Sequence, residues 1–300
     1  MGPASIALLA DLMMGEPQTW MHPTVWMGRW IAGSRSRRMG YAPATSFVQG
    51  AFTVAGGMLL SALAANAVSS ALNRSDSSIK TVATGIALKP AMSLRSLLAA
   101  ASQVQVALRQ GDLTNARRLL AYHLVSRETS DLSSSEIAGA TIESISENLS
   151  DSVVAPLLAF RLGGLSWAYM YRMINTADAM LGYHTPELEW FGKAAARADD
   201  IVNILPARCS ALLIACTASI GGGSSRMALR VAIRDAGATS SPNAGWPMAA
   251  MAGALGVRLV KRDCYALNSA GRDPRAADIG RARRIVISAA TLSAAMIDLS

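Results

Sequence analysis

Residues 47–72 read FVQGAFTVAGGMLLSALAANAVSSAL, and this stretch decides the fold class. It lies within a run, residues 39–73, that has no charged side chain. About 20 apolar residues let a helix cross a bilayer, so one long membrane-spanning helix is expected here. The competing reading is a helix buried in a soluble core. Gly56 and Gly57 sit inside the run, and small residues are what close helix packing in lipid requires.

Composition agrees. Hydrophobic residues make up 51% of the 300-residue chain and charged ones 16%, against about 25% charged in an ordinary soluble domain. The mean hydropathy of +0.29 is high for a soluble enzyme and low for a bundle of purely lipid-facing helices. The net charge is +8. The basic residues fall in short clusters (Arg35, Arg37 and Arg38; Arg117 and Arg118; Arg281, Arg283 and Arg284). That distribution suits loops beside membrane segments, not a nucleic-acid interface, where aromatics interleave with the basic residues. Cys209, Cys216 and Cys264 form no zinc or redox spacing and are expected to be reduced. No secretory leader is expected, since Asp11 interrupts the first apolar stretch.

Outward from residues 47–72, helical periodicity predominates and no strand pattern emerges. The apolar stretch Ile6 to Met14 is too short to span a bilayer. Lys89-Pro90 breaks the apolar run 81–108. Asp112 is placed to cap an amphipathic helix. The sequence Ser133-Ser134-Ser135-Glu136 opens a helix running to Pro156, and Gly163-Gly164 breaks the chain after it. A helix over Trp167 to Met180, a turn at 182–186 and a polar helix over Phe191 to Leu205 follow. Cys209 to Gly221 and Ile285 to Ile297 are marginal spans. The whole of 1–300 reads as a single membrane domain. The expected fold is all-α: a polytopic integral membrane helical bundle, with amphipathic and polar helices forming an active site at the membrane face.

Polar residues gather in clusters within these apolar surroundings. In Glu143-Ser144-Ile145-Ser146-Glu147-Asn148-Leu149-Ser150-Asp151, the three carboxylates fall four residues apart and share one helical face. Like charges at that spacing repel. The stripe is either a solvated face or a site for a metal ion or other cation. The other clusters are Asp11, Glu16 and His22; Arg127 and Glu128; Arg172, Asn175, Asp178, Arg197, Asp199, Asp200, Asn203 and Arg208; and Arg234, Asp235, Asn243 and Trp246. Ionisable groups in or beside membrane helices are costly, and they usually face a cavity and pair with one another. Asp199 and Asn203 lie one turn apart and could share a divalent cation, or belong to a salt-bridged surface with Arg197 and Asp200. His22, before Pro23, is a ligand or general base, or a packed side chain. Gly221-Gly222-Gly223-Ser224-Ser225 lacks the P-loop form, and no GxSxG, HExxH or kinase signature occurs.

These blocks also carry a resemblance. Asp11-Leu12-Met13-Met14-Gly15-Glu16-Pro17, His22-Pro23, Ser126-Arg127-Glu128-Thr129, Asn175-Thr176-Ala177-Asp178-Ala179-Met180, Ala196-Arg197-Ala198-Asp199-Asp200 and Ser241-Pro242-Asn243-Ala244-Gly245-Trp246-Pro247, in this order, resemble the CbiB/CobD family of adenosylcobinamide-phosphate synthases. Glu128 stands where that family more often has Asp, and residues 39–90 match only in character.

The resemblance implies a multi-pass protein of the cytoplasmic membrane. Its expected substrates are a corrinoid, adenosylcobyric acid, and an amino-alcohol phosphate such as (R)-1-aminopropan-2-ol O-phosphate. It further implies amide formation with ATP as co-substrate and Mg²⁺, and other corrinoid-pathway membrane enzymes as partners; nucleic acid is not expected. On this reading Glu143, Glu147, Asp151, Asp199 and Asp200 hold one or two Mg²⁺ ions. Arg127, Arg172, Asn175, Arg197, Arg208 and Arg234 bind phosphate, since guanidinium suits bidentate phosphate contacts. Glu147, Asp178 and His22 are the catalytic candidates, with Asp178 or His22 deprotonating the amine. Asn243 and Trp246 line the corrinoid side. The alternative is a non-enzymatic membrane regulator related to β-lactamase-induction modulators. A soluble basic helical protein founders on residues 39–73.

Overall fold

The computed structural model of the protein describes residues 1–37, 42–183 and 185–299. Arg38, the start of the uncharged run at 39–41, and His184 of the expected turn at 182–186 lie outside the described residues. The chain forms two compact units, one of 1–93, 155–203 and the residues from Ala294 onward, the other of 94–154 and 204–293. Both are helical. Among the described residues, three segments are long and apolar enough to cross a membrane: Pro43–Leu72, Ser134–Leu181 and Ile204–Gly221.

In the first unit, α1 (Pro3–Met14), α2 (Pro23–Ser36), α3 (Pro43–Leu72) and α4 (Ser77–Leu88) come before the chain passes to the second. Only 22% of the apolar window of α3 is buried inside the protein. Phe52, Leu59 and Leu63 point outward, a face that fits lipid rather than water. The opposite face carries Gly50, Val54 and Gly57, all buried. A Cβ at Gly50 would strike the Phe191 carbonyl, and one at Gly57 the Met173 side chain. These small residues thus admit a core of Met27, Ile31, Val54, Met173, Ile174, Leu181 and Phe191. The end of the chain closes this unit on its beginning. The Asp298 carboxylate accepts the backbone N–H groups of Gly2 (3.0 Å), Ala4 (2.9 Å) and Ser5 (3.1 Å), the donors that a helix N-terminus leaves unsatisfied.

The second unit holds α5 (Leu94–Arg109), α6 (Leu113–His123) and α7 (Ser134–Leu149). Asp112 caps α6 through the Asn115 N–H, and Ser133 and Glu136 form a reciprocal capping box on α7. Both caps follow from residue type. Nearly every residue from Ile137 to Ser146 is buried, Glu143 included. The ladder then loosens into a π-helical turn, Ser150–Val154. Pro156 has no N–H to return to this turn, which accounts for the irregularity.

Back in the first unit, α8 (Ala155–Leu181) bends at Gly163-Gly164, where Gly164 takes a φ of 64°, a left-handed conformation that only glycine adopts at no steric cost. Next is α9 (Lys193–Val202). The second unit resumes with α10 (Ile204–Thr217), α11 (Ser225–Asp235) and α12 (Gly245–Leu255), the last buried at every residue but Trp246.

A hairpin follows that the sequence pattern did not reveal. β1 (Leu259–Lys261) pairs antiparallel with β2 (Tyr265–Leu267), placing Lys261 opposite Tyr265. Three residues per strand leave too little alternation to read, and the turn is built on Asp263 at a φ of 57° instead of an Asn-Gly pair. A single helix, α13 (Ala276–Leu299), then extends further in both directions than the apolar run suggested.

The Asp298 contact yields a direct test. Asp298→Ala should cost about 1–2 kcal/mol of unfolding free energy, the usual effect of losing a helix N-terminal acceptor, and Asp298→Asn less. Thermal unfolding in lipid nanodiscs measures both.

Candidate functional site

Four polar clusters stand out, two in each unit. In the first unit, α8 and α9 bring together Tyr171, Arg172, Asn175, Asp178, Asp199 and Asn203. The Tyr171 hydroxyl donates to Asn203 Oδ1 (3.0 Å), and Asn203 Nδ2 donates to Asp199 Oδ2 (2.9 Å). On the other oxygen of Asp199, Asn175 Nδ2 donates at 3.4 Å, and Arg172 Nη1 donates to Asn175 Oδ1 (3.2 Å). Asn203 therefore turns its amide nitrogen, not its oxygen, to Asp199 and orients that carboxylate. Burial and the nearby Asp178 carboxylate outweigh these hydrogen bonds and push Asp199 up to about 6. Its raised value favours the fold below pH 3.8, and that contribution is lost as pH rises through 6. Arg172 Nε is buried and, among the described residues, has no hydrogen-bond partner. Arg197, largely exposed, faces Asp200 at 4.0 Å.

The second cluster of this unit joins α1, the turn before α2 and the Lys89–Ala91 turn. Lys89 Nζ lies 3.3 Å from Asp11 and 2.8 Å from Glu16. Glu16 also meets His22 Nε2 at 3.0 Å and accepts from Ser93 Oγ at 2.8 Å. Burial alone would raise the Glu16 carboxyl, but the hydrogen bonds from His22, Lys89 and Ser93 prevail and hold it at about 2. The other ring nitrogen of His22, Nδ1, accepts the Thr24 N–H and caps α2. With both ring nitrogens engaged, His22 is placed to position Glu16 and α2. Nearby, Met21, Pro23 and Pro90 contribute to a cavity of about 740 Å³, also lined by Trp26, Trp30 and Met173. Its walls are almost wholly apolar, and the hydroxyl of its Tyr169 is used by the Ala87 carbonyl.

In the second unit, Arg127 faces Glu143 at 3.7 Å. The Tyr265 hydroxyl, carried by the hairpin, lies near the same carboxylate while donating to Met248 Sδ (3.9 Å), and Lys261 adds a second positive charge. Burial, then the Glu143 and Glu147 carboxylates, raises the Tyr265 phenol above its ordinary range. The cation that relieves the first carboxylate of the stripe is therefore an arginine of the protein itself. Among the described residues, one Glu143 oxygen, Oε1, has no hydrogen-bond partner. Glu147 lies on the next turn of α7, and Asp151 falls in the π-helical turn. The fourth cluster is Arg208, whose guanidinium carbon sits 4.9 Å from the Trp246 ring centre and whose Nη1 donates to Asn243 Oδ1 (2.8 Å). Arg234 forms a two-point pair with Asp235 (2.6 and 2.7 Å), and Asp235 also accepts the Asn268 N–H (2.6 Å).

Sequence reasoning assigned no role to Lys89, Tyr171, Lys261 or Tyr265. Lys89 had a signal, because a lysine alone in an apolar run needs an acidic partner once buried. Tyr265 and Lys261 had none, since the hairpin that presents them was not legible. Among the described residues, no three His, Cys, Asp or Glu side chains converge on one point. Mg²⁺ does not need three, because it keeps several waters and commonly binds through one or two carboxylates plus substrate phosphates.

The family model described as CobD/Cbib protein matches residues 4–291. A probable cobalamin biosynthesis protein CobD of Methanothermobacter thermautotrophicus is 38% identical over 264 residues, covering 87% of this chain and 84% of the relative. The cobalamin biosynthesis protein CobD of Geobacter metallireducens is 38% identical over 269 residues, 86% of this chain and 81% of its own. The cobalamin biosynthesis protein CbiB of Salmonella typhimurium is 35% identical over 312 residues, 97% and 94% of the two chains. No solved structure matches.

The buried Lys89 group makes a prediction. Lys89→Met leaves Asp11 and Glu16 with uncompensated charge and should cost about 3–5 kcal/mol, while Lys89→Arg should retain most of the stability. Acid unfolding provides the sign. The Glu16 contribution is present above pH 4.5 and is lost as pH falls toward 2, and Glu16→Gln should flatten that limb of the stability curve.

Proposed function

The chain belongs to the CobD/CbiB family, and from that premise we propose that it is an ATP-dependent amide-forming ligase of cobalamin biosynthesis. It joins the free propionate of adenosylcobyric acid to an amino-alcohol phosphate, giving adenosylcobinamide phosphate. The observation that carries the proposed chemistry is the half-buried Asp199, held from both sides by Asn203 and Asn175 and raised to about 6.

A propionate carboxylate is a poor acylating agent. Transfer of the γ-phosphoryl group of ATP to it gives an acyl phosphate and ADP. The amine arrives as an ammonium ion and must lose a proton before its nitrogen can attack. Asp178, Asp199 and Asp200 supply negative charge that attracts it. Asp199, with an affinity for protons near neutrality, takes the proton. As the C–N bond forms, the nitrogen's second proton passes to the departing phosphate, which leaves as hydrogen phosphate. Arg172, with its unpartnered Nε, and Asn175 hold the amino-alcohol phosphate. Arg208 stacked on Trp246, with Asn243, offers a flat cationic surface to the corrinoid. Arg127 keeps Glu143 compensated, and Glu147 has the catalytic role nearest that pair.

Glu147 with Asp151 fits Mg²⁺ in the manner described above, whereas both oxygens of Asp199 are taken by amide donors. Bound there, Mg²⁺ would supply positive charge against phosphate oxygens. The three apolar segments support a multi-pass placement in the cytoplasmic membrane, beside other membrane enzymes of the corrinoid pathway.

The experiment is incubation of the purified protein in nanodiscs with adenosylcobyric acid, aminopropanol phosphate, ATP and Mg²⁺, with mass detection of the condensed product. Product should form, and its absence across several amines would overturn the assignment. Glu147→Gln should lower turnover at least about tenfold and raise the Mg²⁺ concentration needed for half-maximal rate. Unchanged turnover and unchanged Mg²⁺ dependence would remove the stripe from metal binding.

A further inference from the structure

α11 has two faces that call for different neighbours. Ala228, Val231 and Ala232 are buried against the second unit. On the other half of the helix, Leu229 is 38% and Ile233 75% exposed, and Arg226, Arg230 and Arg234 are exposed beside them. The arginines fall four residues apart and form one stripe, in which like charges repel. Arg234 has Asp235; among the described residues, Arg226 and Arg230 make no ion pair. An arginine stripe next to exposed leucine and isoleucine suits neither bulk water nor a hydrocarbon interior.

The chain just before α11 says where this surface lies. The candidate span Ile204–Gly221 ends three residues before Ser225. The four chain steps from Gly221 to Ser225 reach about 14 Å at most, so α11 starts within headgroup distance of the end of a membrane-spanning segment. Exposed arginines keep it out of the hydrocarbon. We propose that α11 is an interfacial helix lying on an anionic lipid surface, with Leu229 and Ile233 in the acyl boundary and Arg226 and Arg230 on phosphodiester headgroups. The positive charge places the Gly221 end of that span on the cytoplasmic side. Through the bond from Asp235 to the Asn268 N–H, the lipid-bound helix also steadies the chain that follows the hairpin carrying Tyr265.

The same guanidinium chemistry would serve a soluble phosphate, and the experiment separates the two sources. A nitroxide is attached at Ile233→Cys, with Cys209, Cys216 and Cys264 replaced by Ser, and the full chain is placed in phosphatidylcholine nanodiscs with or without phosphatidylglycerol. With phosphatidylglycerol, the label should be more accessible to oxygen than to a water-soluble nickel chelate. The double variant Arg226→Gln, Arg230→Gln should reduce that preference at least about fivefold, as should high salt. A label that favours the nickel chelate in both lipids overturns the proposal. So does one indifferent to phosphatidylglycerol but shifted by added pyrophosphate, which would assign the stripe to a soluble ligand. Unchanged far-ultraviolet dichroism shows that the variants are folded.

Discussion

A charge placed among apolar helices must be compensated, and this constraint organises the structure. Lys89 is buried only because Asp11 and Glu16 meet it. Glu143 enters the packed interior of α7 facing Arg127 and Tyr265. Asp199 is held by two amides, which orient it without neutralising it. That last difference matters chemically. The hydrogen bonds from His22, Lys89 and Ser93 hold Glu16 at about 2, whereas desolvation and the neighbouring Asp178 carry Asp199 to about 6 against its two amide donors.

The interruptions in the helices coincide with the chemistry. Pro156 unsettles the turn that carries Asp151, and Gly164 bends α8 between its apolar first half and the polar half bearing Arg172, Asn175 and Asp178. Lys89 itself sits in the 3₁₀ turn imposed at Pro90. Regular helix provides the lipid-facing surface, as along α3. The breaks turn polar side chains toward one another.

Much of this was legible from residue types. The uncharged run at 39–73 gave α3, the Ser133–Glu136 signature gave the cap of α7, and Gly163-Gly164 marked the bend. These signals are local. What escaped depends on contacts distant in sequence: Asp298 closing on α1 from the far end of the chain, Tyr265 meeting Glu143 from a hairpin too short to show a period, and His22 spending its Nδ1 on a helix cap. The acidic stripe was recognisable as needing a cation. That the cation beside Glu143 is Arg127 could not be read from spacing, because Arg127 lies in a separate loop.

The central claim is that Asp199 removes the proton of the attacking amine. The pH dependence of turnover for amide formation tests it most directly. The rate should rise with pH along an acid limb centred near 6, because Asp199 must be ionised to act. Asp199→Asn should lower the rate and abolish that limb. A wild-type profile flat from pH 5 to 7, or an acid limb that survives in Asp199→Asn, would contradict the account.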